Sequence, residues 1–385
     1  TLGALENDSL IYEMGKTVAN HCKRLGVHIN MAPVVDINNN PKNPVIHTRS
    51  FGENKQAVAQ KGLAYLKGMQ NNGVIGVSKH FPGHGDTDQD SHKSLPVIPH
   101  SKERLDTLEL FPFKSMIKHN TGGIMSAHLS IPAYEKTEHL PSSLSDNIIS
   151  DLLREKLGYN GLIFTDALNM KGVTKYYELG DIETRALKAG NDVLLFPKNV
   201  PKAINAVKTA LANDELKEAK LNKSVKRILQ AKYWAGLNNY DSIQLKGLNQ
   251  DLNSFKAKDL KHQLIENAIT LVKNKGDQLP VEELRFKEIA AVGIGAEKGN
   301  PFHESLKKYT KVQEFTIDKN ASNIDFAVLK QQLTEYNYVI ISLHNLSEYD
   351  VDDFGLSDQI IKFVNGIAGD TKNLLVNFGS PYALK

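Results

Sequence analysis

Short apolar runs alternate with longer amphipathic stretches along the first 235 residues of the chain. Residues 8–25 and 58–69 carry apolar positions at the spacing of one helix face. Apolar runs typical of β-strands occupy residues 28–36, 73–78, 122–128, 162–166 and 191–196. Because strands that alternate with helices form parallel βα units, this pattern predicts an α/β fold with a parallel sheet.

Several of these runs end on, or just before, a polar side chain: Asp36, His80, His128 and Asp166. The carboxyl ends of parallel strands meet at one edge, so we expect these side chains to lie near one another. A (β/α)₈ barrel keeps its active site at that face, and a doubly wound open sheet also binds ligands beyond the carboxyl ends of its strands. The alternation alone does not separate the two architectures.

The chain turns polar after residue 237, and residues 238–263 are predicted to link two domains. The first domain is assigned to residues 1–237 and a second αβ domain to residues 264–385. Strands of the second domain are predicted at residues 268–273, 288–292, 338–342 and 373–377. Since the chain stops just after the last of these runs, we expect the second domain to be truncated.

Composition narrows the classes of partner. The 385 residues are 41% apolar and 24% charged, with a formal net charge of +3, which argues against nucleic acid and against an anionic membrane surface. No membrane span is predicted, and the oligomeric state is left open.

The single cysteine, Cys22, continues the apolar face of the first helix and is predicted to be a buried thiol. The chain begins at Thr1 without a signal peptide, so the compartment stays open, with a periplasmic or secreted location favoured over the cytoplasm.

The densest polar chemistry lies between Lys79 and His92, where the sequence reads KHFPGHGDTDQDSH. Pro82, Gly83 and Gly85 exclude regular structure there, so these polar groups are predicted to sit on a loop that leaves the carboxyl end of a strand. Loops held by a rigid strand commonly carry catalytic residues.

A metal site in this loop is the first alternative. The acids from Asp86 onward resemble the start of a calcium loop, but Ser91 stands where the sixth-position Gly is required and Val97 where the twelfth-position Glu is required. A zinc site could be drawn from three histidines, His80, His84 and His92. Their spacing matches no HExxH-type arrangement, and we predict neither a metal nor a cofactor.

Two carboxylates and one imidazole suggest hydrolytic chemistry. Asp90 lies two residues before His92, close enough on a turn to orient the ring for proton transfer near neutral pH. Asp166 could act as a nucleophile, bind a metal or cap the next helix. A carboxylate nucleophile and a proton donor on different strands are the minimum equipment of a retaining glycosidase. Serine hydrolysis competes with this interpretation, but the chain has no Gly-x-Ser-x-Gly elbow.

Taken together, these segments resemble glycoside hydrolase family 3, and within it the β-N-acetylglucosaminidases. The segments that carry the resemblance are Met31–Asp36, Arg49–Gly52, Lys79–Gly85, Asp90–His92 and Phe164–Asp166. The resemblance implies a TIM-type (β/α)₈ barrel followed by an αβα sandwich domain. It also implies two further barrel strands at the start, which nothing before Thr1 supplies, so we expect the barrel to be incomplete at its N-terminus.

The resemblance further assigns roles to individual residues. It implies that Asp166 is the nucleophile, that His92 is the acid and later the base, and that Asp90 orients His92. It implies three residues that hold the hydroxyls and the N-acetyl group of the sugar: Arg49, Lys79 and His80. Asp36 is expected to support Arg49 or the loop.

The resulting expectation is a retaining exo-β-N-acetylglucosaminidase that acts on small oligosaccharides derived from peptidoglycan or chitin. A family 3 β-glucosidase and a non-catalytic sugar-binding remnant remain as alternatives. Because a histidine that has donated its proton is neutral, it would not repel an anionic acceptor. We therefore also expect phosphate to intercept the intermediate and give some phosphorolysis.

Overall fold

The computed structural model describes residues 2–89, 94–347 and 353–384. The chain forms two compact units, Thr1–Ile269 and Thr270–Lys385. Each unit is built around its own parallel sheet.

Four parallel strands form the sheet of the first unit: β1 Ile29–Asn30, β2 Ile75–Phe81, β3 Gly123–Ser126 and β4 Leu162–Thr165. Their order in space is their order in the chain. An isolated parallel bridge from Phe164 to Val193 continues the same order at the far edge. A doubly wound sheet reverses its strand order at a switch point, whereas a (β/α) barrel does not. The first unit therefore has the strand order of a barrel, and its described strands form a curled, open part of one.

Helices precede and follow the strands of the first unit. They are α1 Asp8–Arg24, α2 Lys55–Gln70, α3 Lys102–Thr107, α4 Phe111–Lys118, a π-helix at Asn147–Lys156, α5 Lys171–Thr174, α6 Asp181–Ala189, α7 Val200–Ala212, α8 Glu218–Trp234, α9 Leu248–Leu252 and α10 Phe255–Ala268. Among the described residues, no helix combines the length and apolar character needed to cross a bilayer.

Two glycines set the close contact between α1 and α2. A Cβ on Gly15 would lie 2.3 Å from the Tyr65 carbonyl oxygen, and a Cβ on Gly68 would lie 2.2 Å from that of Tyr12. Only glycine at these positions lets the two helix backbones approach so closely. Ile11 and Met69 are then fully buried in the core of the first unit.

The predicted linker differs from the observed structure. Residues 238–263 contain α9 and most of α10, and the boundary between units falls after Ile269 rather than at residue 264. Ser254 caps α10 through its side chain, and Leu264 packs against the first core. Polar composition hid this helix because it buries only one narrow face. The strand predicted at residues 268–273 is also absent, since the chain there is the end of α10 followed by residues outside any helix or strand.

The second unit has a different strand order. Its parallel strands are β5 Ile289–Ile294, β6 Val312–Ile317, β7 Tyr338–Leu343 and β8 Lys372–Asn377, in the order β6-β5-β7-β8. Its helices are α11 Pro301–Leu306, α12 Asn323–Gln332 and α13 Asp358–Asp370. The reversal beside β5 defines a doubly wound sheet. Sequence analysis missed β6 because it is an edge strand whose residues are only partly buried.

Short 3₁₀ turns complete the two units at Leu2–Ala4, His47–Arg49, Ser142–Leu144, Leu237–Asn239, Leu284–Phe286, Leu333–Glu335, Asp353–Gly355 and Pro381–Leu384.

A buried ion-pair cluster anchors the start of β4. The Asp192 carboxylate, whose side chain is fully buried, accepts from Arg154 at 2.5 Å, from Arg227 at 3.1 Å and from the Ile163 N–H at 2.9 Å. Removing one charge from a buried pair leaves the partner cation uncompensated.

We therefore predict that Asp192→Asn lowers the free energy of unfolding by about 3 kcal/mol. Urea unfolding followed by the fluorescence of Trp234, the single tryptophan, measures this effect in the first unit. The control is Asp181→Asn, which removes the exposed partner of Arg185 and should cost less than about 1 kcal/mol. Equal losses in the two variants would contradict the prediction.

Candidate functional site

The carboxyl ends of the first sheet bring polar side chains together. Lys79 and His80 belong to the last residues of β2, His128 follows β3, and Asp166 follows β4. Asp36 reaches the same edge because Val34 forms a parallel bridge with Lys79. The strand-end residues identified from sequence therefore share one edge of the sheet.

Asp36 is almost completely buried, with 1% of its surface exposed. Its carboxylate accepts from the His80 ring Nδ1 at 2.7 Å, from the His80 N–H at 3.1 Å and from the His84 N–H at 2.8 Å. Burial alone would raise the pKa of Asp36, but the adjoining His80 and His84 hold it below its usual range. Asp36 therefore fixes the turn of the loop as an ionised group.

The contact with Asp36 also decides how His80 faces Arg49. A carboxylate only accepts, so His80 Nδ1 carries the proton and Nε2 is left as the acceptor. Arg49 Nη2 lies 3.3 Å from that Nε2 and donates to it. Asp36 thus contacts the loop directly and supports Arg49 through His80.

Lys79 lies between groups of both signs. Burial and the charge of Arg49 lower the pKa of Lys79, while Asp166 and Asp36 oppose that shift. The peptide bonds Lys79–His80 and Phe81–Pro82 are cis.

Asp166 is held at its backbone and at its side chain. Its N–H donates to the Ser126 carbonyl at 2.8 Å, and its Oδ1 accepts from the Ala167 N–H at 2.8 Å. Burial would raise the pKa of this carboxyl, but its neighbours hold the pKa below its usual range. Those neighbours are, in decreasing order of effect, His80, His128, the Ala167 N–H and Lys79.

The capping interpretation of Asp166 is wrong. The next helix, α5, begins at Lys171 and has Met170 as its N-cap residue. Asp166 is therefore too early in the chain to satisfy the first turn of α5, and its ionised carboxylate is available for chemistry.

The remaining two predicted site residues, Asp90 and His92, lie outside the described residues. Side-chain hydrogen bonds hold the described part of the same loop in place. Asn43 Nδ2 donates to the His84 carbonyl at 2.8 Å, and Thr87 Oγ1 lies 2.9 Å from His84 Nδ1. Burial and the neighbouring His80 lower the pKa of His84 to about 4, so its ring is neutral at neutral pH.

One set of described residues has ligand atoms close enough for a metal ion: Asp86, His100 and Glu109, all within 4.8 Å of one another. Arg104 Nη2 lies 3.4 Å from Asp86 and 3.2 Å from Glu109. The guanidinium already supplies the positive charge that these carboxylates need, and His100 bonds to Asp86 at 2.6 Å. The set is therefore an ion-pair network beneath the loop.

Sequence analysis missed part of the site. Ser126, Ser143 and Asn191 are fully buried polar residues beside Asp166 and His128. His128 carried a signal, because an apolar run ended on it. The two serines and Asn191 carried none, since isolated polar residues within or after strands are common.

Asp166, a partly buried carboxylate with a lowered pKa, lies beside Lys79, His80 and His128 at the carboxyl edge of strands arranged in chain order. Such an arrangement is typical of the active-site face of a (β/α) barrel. The sequence profile of the glycosyl hydrolase family 3 N-terminal domain matches residues 1–231. The chain belongs to that family, which confirms the resemblance read from the motifs.

Individual relatives agree with this membership. Beta-hexosaminidase A of Pseudoalteromonas piscicida is 34% identical over 325 residues, which are 80% of this chain and 54% of that protein. A beta-N-acetylglucosaminidase/beta-glucosidase of Cellulomonas fimi is 27% identical over 77% of this chain and 56% of its own. The chain therefore spans about half the length of these curated relatives.

Among solved structures, a family 3 beta-N-acetylglucosaminidase from Paenibacillus sp. str. FPU-7 is 30% identical, with a TM-score of 0.81. The match covers all of this chain and 73% of that one. The likeness extends through both units and confirms the predicted fold class.

The ionised carboxylate of Asp36 makes the free energy of unfolding of the first unit depend on pH. Because its folded-state pKa is lowered, its contribution is present above the unfolded-state value of about 3.9. That contribution is lost as pH falls through the folded-state pKa. We predict that Asp36→Asn destabilises the first unit at pH 7 and that the difference from wild type shrinks below about pH 4.

Urea unfolding at several pH values, followed by Trp234 fluorescence, measures this difference. The matched control is Asp151→Asn, on an exposed face of the π-helix, which should show no such trend. A destabilisation by Asp36→Asn that is as large at pH 3 as at pH 7 would show that charge is not its cause.

Proposed function

We propose that this chain is the catalytic part of a retaining exo-β-N-acetylglucosaminidase. It removes terminal β-linked GlcNAc from peptidoglycan-derived or chitin-type oligosaccharides through a covalent glycosyl-Asp intermediate. The proposal rests on the position of Asp166 at the carboxyl edge of the sheet. Its neighbours there, Lys79, His80 and His128, lower the pKa of its carboxyl. The names of the hexosaminidase relatives support the same substrate class.

In the first step the Asp166 carboxylate attacks the anomeric carbon. A bond forms between its oxygen and that carbon, and the glycosidic bond breaks. The departing oxygen takes a proton from His92, which Asp90 orients. These two roles rest on the Asp90–His92 motif.

In the second step water replaces Asp166. His92, now neutral, accepts a proton from water as the oxygen bonds to the anomeric carbon, and the Asp166 ester bond breaks. The carboxylate and the protonated imidazole are both regenerated. The low pKa of Asp166 suits this role, because a nucleophile must be ionised and must also leave.

Arg49, Lys79 and His80 are proposed to hold the hydroxyls and the N-acetyl group of the sugar. Their support is position: Arg49 bonds to His80, and both His80 and Lys79 lie close enough to Asp166 to lower its pKa. Polar groups beside the nucleophile would fix the ring with its anomeric carbon towards Asp166, which is the orientation that makes attack efficient.

A β-glucosidase is the second candidate, because one relative carries both enzyme names. The Asp90–His92 motif argues for GlcNAc, since the resemblance that includes it is to the N-acetylglucosaminidases. A non-catalytic sugar-binding protein is the third.

We predict that nitrophenyl β-GlcNAc is hydrolysed and that nitrophenyl β-glucose is hydrolysed much more slowly. Asp166→Asn should lower kcat by about 10³-fold or more, since a neutral amide cannot form the ester. A fluorinated sugar with a good leaving group should label Asp166, as mapped by peptide mass spectrometry. A label on another residue would overturn the assignment, and GlcNAc binding without turnover would favour the non-catalytic alternative.

Phosphate should also act as an acceptor. Because spent His92 is neutral, we predict that adding phosphate to the assay yields sugar 1-phosphate beside free GlcNAc. Chromatography of products with and without phosphate decides this, with sulfate at equal ionic strength as the control. Free GlcNAc as the sole product in phosphate would refute phosphorolysis and leave hydrolysis intact.

A further inference from the structure

A polar network is buried in the first unit beneath Asp166. Its four side chains are Ser126, His128, Ser143 and Asn191, and each has 0% of its surface exposed. Buried polar side chains are costly unless they are hydrogen-bonded. A network of this kind, at the edge of the proposed site, therefore calls for a structural or functional reason.

The imidazole of His128 joins two segments of chain. Its Nδ1 lies 2.7 Å from Ser143 Oγ, and its Nε2 lies 3.1 Å from the carbonyl oxygen of Ala167. A carbonyl oxygen can only accept, so Nε2 carries a proton and donates it. The Ser143 hydroxyl can donate to Nδ1 or accept from it, so both ring nitrogens of His128 are hydrogen-bonded.

Ala167 is the residue that follows Asp166, and both of its backbone polar groups are engaged. Its N–H donates to Asp166 Oδ1 at 2.8 Å, and its carbonyl accepts from His128. The orientation of the Asp166 carboxylate thus depends on where Ala167 is held. His128 holds it from the side of β3.

The rest of the network fixes His128 in turn. Asn191 Nδ2 donates to the Ser143 carbonyl at 2.8 Å, and its Oδ1 accepts from Ser126 Oγ at 2.8 Å. The carbonyl of Ser126 accepts the Asp166 N–H. The bonds therefore run from the backbone on one side of Asp166, through the network, to the backbone on its other side.

We propose that His128 is a positioning residue for the nucleophile, acting through the Ala167 carbonyl. This inference rests on the proposed function, because it gives His128 a purpose only if Asp166 reacts. An apolar side chain of similar size would remove the His128 donor and leave the Ala167 carbonyl with only the Met170 N–H, at 3.1 Å in the following turn. Ala167 would then lose its hydrogen bond to the segment that follows β3 and be free to shift. A displacement of about 1 Å at a reacting group can cost about 10²-fold in rate.

The test compares two replacements of His128, one with and one without a hydrogen-bond donor. Leu fills the space without a donor, whereas Gln offers an amide N–H to the Ala167 carbonyl. With nitrophenyl β-GlcNAc we expect His128→Leu to lower kcat by about 10²-fold. The dissociation constant of GlcNAc, measured by calorimetry, should change less than about 3-fold. We expect His128→Gln to recover at least about tenfold of the lost kcat.

Tyr159→Phe is the matched control. The Tyr159 hydroxyl is a buried donor to the Leu162 carbonyl at 3.0 Å, at the opposite end of β4 from Asp166. Its loss should lower Tm and leave kcat within about twofold. A folded His128→Leu with wild-type kcat would overturn the proposal, as would equal kcat in the Leu and Gln variants or a parallel loss of kcat and GlcNAc affinity.

Asp166→Asn in the same assay distinguishes a failure of the proposed nucleophile from a failure of the positioning role of His128. If Asp166→Asn is as active as wild type, the proposed nucleophile is wrong. If it is inactive while His128→Leu is unaffected, only the positioning role is wrong. Crystal structures of the two His128 variants give a reading that needs no turnover: the Asp166 carboxylate should shift in the Leu variant and not in the Gln variant, and an unmoved carboxylate in both refutes the role.

Discussion

The geometry of the site depends on one buried carboxylate. Asp36 is almost completely enclosed, so its charge must be met by donors from the protein. Those donors are the N–H groups of His80 and His84 and the His80 ring. The same bonds that stabilise the charge therefore bend the loop after β2 and aim His80 at Arg49. A neutral residue at position 36 would remove the reason for the loop to take this path.

The two sheets show how strand order places chemistry. In the first unit the strands follow chain order, so successive carboxyl ends stand side by side along a curved edge. Residues as distant in sequence as Asp36 and Asp166 are thereby brought to one edge of the sheet. In the second unit the order reverses beside β5. That unit buries its own polar network, in which His303 bonds to Glu314 at 3.0 Å. The Gly299 N–H, His303 and Lys307 lower the pKa of Glu314 to about 2 against the opposing effect of burial.

Sequence alone predicted the parts of the fold that rest on local patterns. Apolar runs that end on a polar residue located Asp36, His80 and Asp166, because the ends of parallel strands share an edge. The helix α10 was missed, since Leu264 and its neighbours bury only one face against a partner that is far away in the chain. The edge strand β6 was missed for a related reason, because a half-buried strand has no continuous apolar run. The network around His128 depends on Asn191, which reaches back to Ser126 and Ser143, and such contacts leave no mark on the sequence near any one of its members.

The charges of the site bear on the proposed sugar substrate, which is uncharged. Arg49 and Lys79 contribute two positive charges. Asp36 and Asp166 contribute two negative charges, and both carboxyls have lowered pKa values. The formal charges of these four groups cancel, which suits an uncharged ligand. The balance is local rather than uniform, because the Asp36 carboxylate accepts hydrogen bonds from His80 and His84, whereas Asp166 lies close to Lys79. Asp166, the nucleophile of the proposed reaction, is thus the carboxylate whose negative charge can stabilise a developing positive charge at the anomeric carbon.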